Sequence, residues 1–178
     1  MSDAPPAGET VREHFSALPR AQMSVKILSN LGESALEYQV EYEYNKGDND
    51  ILTVTAPESL SGVRLTISGD TPGGFTLQYA DAVLDFQMDG PAGMTPADAI
   101  AALFSDLAES EPTETAAETL DGVRAVSLKY ETMDKSPALA KTVWLRASDC
   151  APVCAELYQD GEKKLSLFFQ EYTEQKEV

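Results

Sequence analysis

Leu36-Glu37-Tyr38-Gln39-Val40-Glu41-Tyr42-Glu43-Tyr44 alternates apolar or aromatic side chains with acids and one amide at every step. A period of two puts successive side chains on opposite faces of an extended strand, so one face is buried and the other wet. The cluster Lys46-Gly47-Asp48-Asn49-Asp50 is rich in turn residues, and Ile51 to Thr55 resumes the alternation, which predicts a hairpin. Upstream, Ala21 to Ser29 reads as a further strand. Downstream, Val63, Leu65 and Ile67 alternate with Arg64, Thr66 and Ser68. Phe75, Leu77 and Tyr79 follow, then Ala82, Leu84 and Phe86, with glycine-rich or Ala80-Asp81 turns between them.

Two segments carry a helical period instead. Val11, Phe15 and Leu18 fall at i, i+4 and i+7, which predicts a short helix from Glu9 to Leu18, ended by Pro19. Thr95-Pro96-Ala97-Asp98 is a helix start, with a Thr cap, Pro at the first helical position and an acid three residues after the cap. Ile100, Leu103, Phe104 and Leu107 continue it on one face. Strands return near Thr113–Leu120, Val123–Tyr130, Ala140–Arg146, Val153–Gln159 and Lys163–Tyr172, with Asp121-Gly122 and Asp160-Gly161 as hairpin turns. The sum is a mainly β (α+β) chain of about ten antiparallel strands, one short N-terminal helix and one inserted amphipathic helix. A single domain over 9–172 is expected, with 1–8 a Pro-rich disordered linker and 173–178 a charged, fraying tail.

A long sheet with one apolar face must cover it. Two short helices cannot blanket ten strands, so a curved, incomplete barrel with a helix as lid is expected. Its interior is either an apolar-walled cavity or a filled core. If a cavity, Tyr42, Tyr79, Phe86, Phe104 and Trp144 are its candidate aromatic lining. Val54, Leu65, Ile67 and Leu77 are the aliphatic candidates.

The 178 residues carry 30 Asp and Glu against 13 Lys and Arg, a net charge of −17. That field repels a phosphate backbone and an anionic membrane surface, so neither nucleic acid nor direct membrane binding is expected. No apolar run approaches the roughly 18 residues of a membrane helix. The start, Met1-Ser2-Asp3-Ala4-Pro5-Pro6, is small and polar and carries no legible export signal. Cys150 and Cys154 are four apart, ~13 Å in an extended strand and too far for a disulfide. A tight loop around Pro152 would be needed to bridge them, and both states stay open.

Several segments resemble the lipoprotein-carrier-like (LolA-like) superfamily of extracytoplasmic proteins. They are Leu52-Thr53-Val54-Thr55-Ala56-Pro57-Glu58-Ser59-Leu60-Ser61-Gly62-Val63, the helix start Thr95 to Ile100, and Thr142-Val143-Trp144-Leu145 followed by Pro152 to Gly161. The order of elements agrees from about Glu9 to Tyr172, and the Gram-positive branch, with its germination-type lipoproteins, is the most similar. Arg146 departs from the acidic residue that many members carry there. The resemblance implies a half-barrel with a helical lid, secretion, and anchoring through a lipidated cysteine on a segment upstream of Met1. It implies a lipid or acyl ligand in the carrier branch, a protein partner in the sensor and germination branches, and no catalytic residues.

The residues themselves point to no enzyme. His14 is the only histidine and lies on the first helix, with no nucleophile motif such as G-x-S-x-G elsewhere. Asp48-Asn49-Asp50 lacks the rest of a calcium loop and reads as a solvated turn. Glu37, Glu41 and Glu43 alternate with core residues and read as a wet face rather than a glycosidase pair. Gly73-Gly74 lacks the helix and lysine of a phosphate loop. No cofactor or metal is expected. Two functions remain: an apolar-ligand carrier or sensor, and a cell-envelope interaction or regulatory module of the germination or envelope-stress type.

Overall fold

The structure, a computed structural model, describes residues 8–30, 35–67, 74–87, 93–132 and 137–175, the side chains of 84–87 excepted. After helix α1 (Gly8–Ala17) come β1 (Arg20–Ser29), β2 (Leu36–Asn45), β3 (Asp50–Ala56), β4 (Arg64–Ile67), β5 (Gly74–Tyr79) and β6 (Ala82–Gln87). Helix α2 (Ala99–Glu109) then precedes β7 (Glu114–Leu120), β8 (Val123–Thr132), β9 (Leu139–Arg146), β10 (Pro152–Gln159) and β11 (Glu162–Gln175). Each strand pairs antiparallel with its neighbours in one sheet of order β6-β5-β4-β3-β2-β1-β11-β10-β9-β8-β7. Eleven strands among the described residues stand against the ten or so expected.

The order explains where α2 must lie. One meander steps outward from β1 to β6, and a second steps back from β7 to β11, which closes on β1 from Arg20↔Gln175 to Ser29↔Leu165. β6 and β7 are therefore consecutive in sequence yet at opposite edges, and the chain carrying α2 joins them. Phe104 of α2 stacks on Tyr44 of β2, while Asp106 of α2 holds Lys141 of β9. Those strands are four spacings apart, roughly 19 Å on a flat sheet, against ~10–12 Å for a helix with its side chains. Both contacts exist because the sheet curls around the helix as an open half-barrel.

The alternation read from β2 sorts its residues as expected: Val40 and Tyr42 are buried on the concave side, and Glu37 and Glu41 are exposed outside. At Asp121-Gly122 both residues have positive φ (48° and 80°), as a two-residue type I′ hairpin turn requires. One core cluster takes residues from both helices and from both halves of the sheet.

The C-terminal strand differs from expectation in its end and in its parity. The segment from Thr173, expected to fray, continues β11 to Gln175, with Thr173 opposite Gln22 and Glu174 opposite Ala21. Just before it, two steps along β1 (Gln22 to Ser24) face three along β11 (Thr173 to Gln170), and Glu171 sits at φ 50°. This bulge resets the parity of the strand. Phe169 faces the core before it and Tyr172 after it, although an unbroken strand would send Tyr172 outward with Phe168 and Gln170.

Candidate functional site

Helix α2 has the apolar face the sequence predicts, but it starts at Ala99 with Asp98 at the cap, not at Pro96 after a Thr95 cap. The Thr95 backbone N–H donates to Asp98 Oδ1 at 3.2 Å, and the Asp98 N–H donates back to Thr95 Oγ1 at 3.4 Å, a reciprocal capping box. Regular helix begins one turn later, at Ala99. Ile100, Leu103, Phe104 and Leu107 are each 1% exposed or less. Phe104 is held in an aromatic cage: Tyr44 stacks at 4.9 Å, Tyr172 at 6.5 Å, and Phe15 of α1 meets it edge-on at 5.7 Å. α1 is fastened in turn by Ser16 Oγ donating to the Ala108 carbonyl at 2.5 Å and by His14 Nε2 lying 2.7 Å from Glu174 Oε2. Tyr172 donates to the same carboxylate oxygen at 2.8 Å.

The nine candidate lining residues separate into four sets. Tyr42, Val54, Leu65, Ile67 and Phe104 converge in the concave interior and are buried there, with Leu77 packed half-buried beside them. Tyr79 shares the parity of Leu77 on β5 but is 49% exposed. The Phe86 side chain lies outside the described residues. Trp144 stands on the opposite, convex face, because its neighbours Val143 and Leu145 take the inward positions of β9. Of the two interiors left open by the sequence, the filled one is found where these residues meet: α2 side chains occupy the concavity.

A cleft of about 520 Å³ lies beside α2, between its solvent side and the β2–β3 turn. Its lining is mixed: Asp48, Asp50, Asp98, Asp106, Glu109, Lys46 and Lys141 share it with Tyr44, Ile67, Ala101, Ala102 and Ala108. The reading of Asp48-Asn49-Asp50 as a solvated turn is corrected at Asp50, which is only 7% exposed. Parity explains it, since Asp50, Leu52 and Val54 share the concave side of β3. Asp50 accepts a 2.5 Å bond from Tyr42 Oη and a 2.9 Å bond from the Asn45 N–H. Burial raises its carboxyl above the usual range, and the two bonds offset part of that. Burial, reinforced by Asp50, keeps the Tyr42 phenol protonated well beyond the ordinary tyrosine range. Lys141, 9% exposed, is neutralised by Asp106 at 2.6 Å.

A second depression, about 410 Å³, lies on the convex face over β7, β8 and β9 around Trp144. Cys150 and Cys154 are both free thiols. Burial and then the charges of Glu174 and Asp149 push the Cys150 thiol up to about 11. Among the described residues, no group of three His, Cys, Asp or Glu side chains could hold a metal, and no helix is long and apolar enough to cross a membrane.

No family model matches the sequence, and no curated protein matches it. Solved structures do. An uncharacterised conserved protein of Thermus thermophilus aligns over 96% of this chain and 88% of its own, at 11% identity and a TM-score of 0.56. A chain of the Pseudomonas aeruginosa MucA/MucB complex aligns over 96% of this chain and 57% of its own, at 13% identity and a TM-score of 0.50. A LolA superfamily protein of Nitrosomonas europaea aligns over 97% and 96%, at 11% identity and a TM-score of 0.43. At these identities the likeness is one of fold. The open antiparallel half-barrel with its inserted helix is a fold shared with the Thermus and Pseudomonas structures, and it is the architecture that the sequence resemblance implied.

Proposed function

We propose that this chain is an extracytoplasmic domain of the lipoprotein-carrier type, which takes an apolar ligand, the acyl chain of a lipid or lipoprotein, into its concave face. In this reading α2 is the lid that fills the site when the ligand is absent. The observation that carries it is the seating of α2. Four large apolar side chains fill a wall of Tyr42, Val54, Leu65, Ile67 and Leu77. α2 is part of no strand ladder, so it can leave without breaking the sheet.

Magnitudes support an exchange of lid for ligand. Burying four such side chains is worth about 1.5–3 kcal/mol each, or about 6–12 kcal/mol together. An acyl chain gains ~0.8 kcal/mol per buried CH₂, so roughly twelve to sixteen methylenes gain about 10–13 kcal/mol. An acyl chain thus offsets what the helix gives up, whereas a small apolar molecule does not. Tyr79, at the uncovered edge, would meet the end of such a chain.

Native mass spectrometry of the protein purified under mild conditions tests this. A lipid-sized adduct that disappears on denaturation is expected. A ligand-free mass, combined with no uptake of palmitate in a titration, refutes it. The same proposal has the domain held at the membrane by a lipidated cysteine N-terminal to Met1, which metabolic labelling of the cells with palmitate tests.

A further inference from the structure

The convex face carries a second surface, independent of the ligand proposed for the concave one. Among the described residues β7 is an edge strand that pairs only with β8, and every residue of it except Leu120 is exposed. Its outer row of backbone N–H and C=O groups has no strand beside it among those residues. Edges of this kind are commonly guarded by proline, a bulge or charged side chains, lysine above all. β7, of sequence Glu-Thr-Ala-Ala-Glu-Thr-Leu, has no proline, lysine or bulge, and its two charges, Glu114 and Glu118, repel an acidic strand but not a basic one.

Beside that edge the outer face is hollow. Ala116 lies opposite Ser127, and Ser127 opposite Trp144, so two small side chains leave a dip between the edge and the indole. Glu114 and Glu118 flank Ala116 on the same face, and all five residues line the depression of about 410 Å³. The Trp144 Nε1–H donates to Glu118. The ring therefore leans from β9 across β8 to β7. Lys129 is the one cation among the described lining residues, and Glu131 pairs with it at 3.3 Å.

An aromatic face beside two carboxylates recognises a guanidinium, which stacks on the ring and donates to the acids. An open strand edge recognises an extended backbone. The surplus of 17 negative charges on the chain draws a partner of positive sign. We propose that β7 and the Trp144 depression dock an extended, arginine-bearing segment of a partner protein. The segment adds to β7 as a further strand and lays an arginine over Ala116 onto Trp144, between Glu114 and Glu118. One strand spacing, ~4.8 Å, separates such a strand from β7, within the reach of an arginine side chain.

Trp144 is the only tryptophan in the chain, so its emission reports on the site directly. The probe is a capped heptapeptide, Thr-Arg-Val-Arg-Val-Arg-Thr, whose arginines share one face of a strand. A saturable change in emission with a submillimolar Kd is expected, with slower hydrogen exchange along β7. Binding should weaken at least tenfold in E114Q/E118Q, in which palmitate uptake stays unchanged. No saturable change up to millimolar peptide overturns the proposal, as does equal binding of the peptide with glutamate for arginine. Equally tight binding of a peptide N-methylated at alternate amides overturns the strand-addition geometry.

Discussion

Replacing Phe104 by alanine separates the two roles assigned to α2, as core and as lid. The side chain is fully buried, and its ring touches Tyr44, Tyr172 and Phe15. Truncating a buried phenylalanine costs about 3–5 kcal/mol, the upper part of that range when aromatic partners are lost as well. With a urea m-value of roughly 2 kcal/mol/M for a domain of this size, the midpoint falls by about 1.5–2.5 M. That is a large share of a total stability of about 5–15 kcal/mol. Followed by circular dichroism, the transition stays a single step at the lower urea concentration. The same substitution lowers the cost of displacing α2, so palmitate affinity rises, by on the order of 10²–10³-fold if the whole difference reaches binding. A stability loss under about 1 kcal/mol would show that α2 is not seated in the core. A full stability loss with unchanged or weaker palmitate binding would refute the lid.

Three further substitutions and modifications follow from the same geometry. Asp50 has a folded pKa raised by burial above its unfolded value of about 3.9, so the stability it contributes is complete below that value and is lost as pH rises through the folded one. In urea titrations from pH 4 to 7, the wild type therefore loses stability relative to D50N as pH rises, and a gain would contradict this. D106A strands the buried Lys141 ammonium and costs about 1–3 kcal/mol, less than a fully enclosed pair because a quarter of the Asp106 side chain meets water. D106A/K141M should recover most of that loss, and an additive double variant would show that the pair is uncoupled. With its thiol near 11, Cys150 should be alkylated by iodoacetamide at pH 8 roughly 10²-fold more slowly in the folded protein than in urea. Equal rates would show the thiol to be open to solvent.

The parity of β2 was legible because an acid or an amide marks every wet position, and from it followed the burial of Tyr42 and the hairpin with β3. The presence of α2 was legible because Thr95 and Asp98 stand at capping-box spacing, and their bonds form, but the helix itself starts one turn later. Asp50 was legible in principle, since it shares parity with Leu52 and Val54, but its turn-like neighbours outweighed that signal. Trp144 was not legible: Val143-Trp144-Leu145 is apolar throughout, and only pairing with β8 and β10 decides which residue faces out. The Glu171 bulge left no local signal, so the inward turn of Tyr172 could not be read. A filled interior and an apolar cavity place the same side chains on the same strands. Only the topology, with β6 and β7 at opposite edges, puts α2 inside the curve.

A photoactivatable palmitate carrying a diazirine near its methyl end would locate the apolar site by the residues it labels. Labelling concentrated on Tyr42, Val54, Leu65 and Ile67, with Trp144 unmodified, is the predicted map. Labelling centred on Trp144 and the outer face of β7–β9, or none above the level seen with unfolded protein, would contradict an acyl ligand in the concavity that α2 fills.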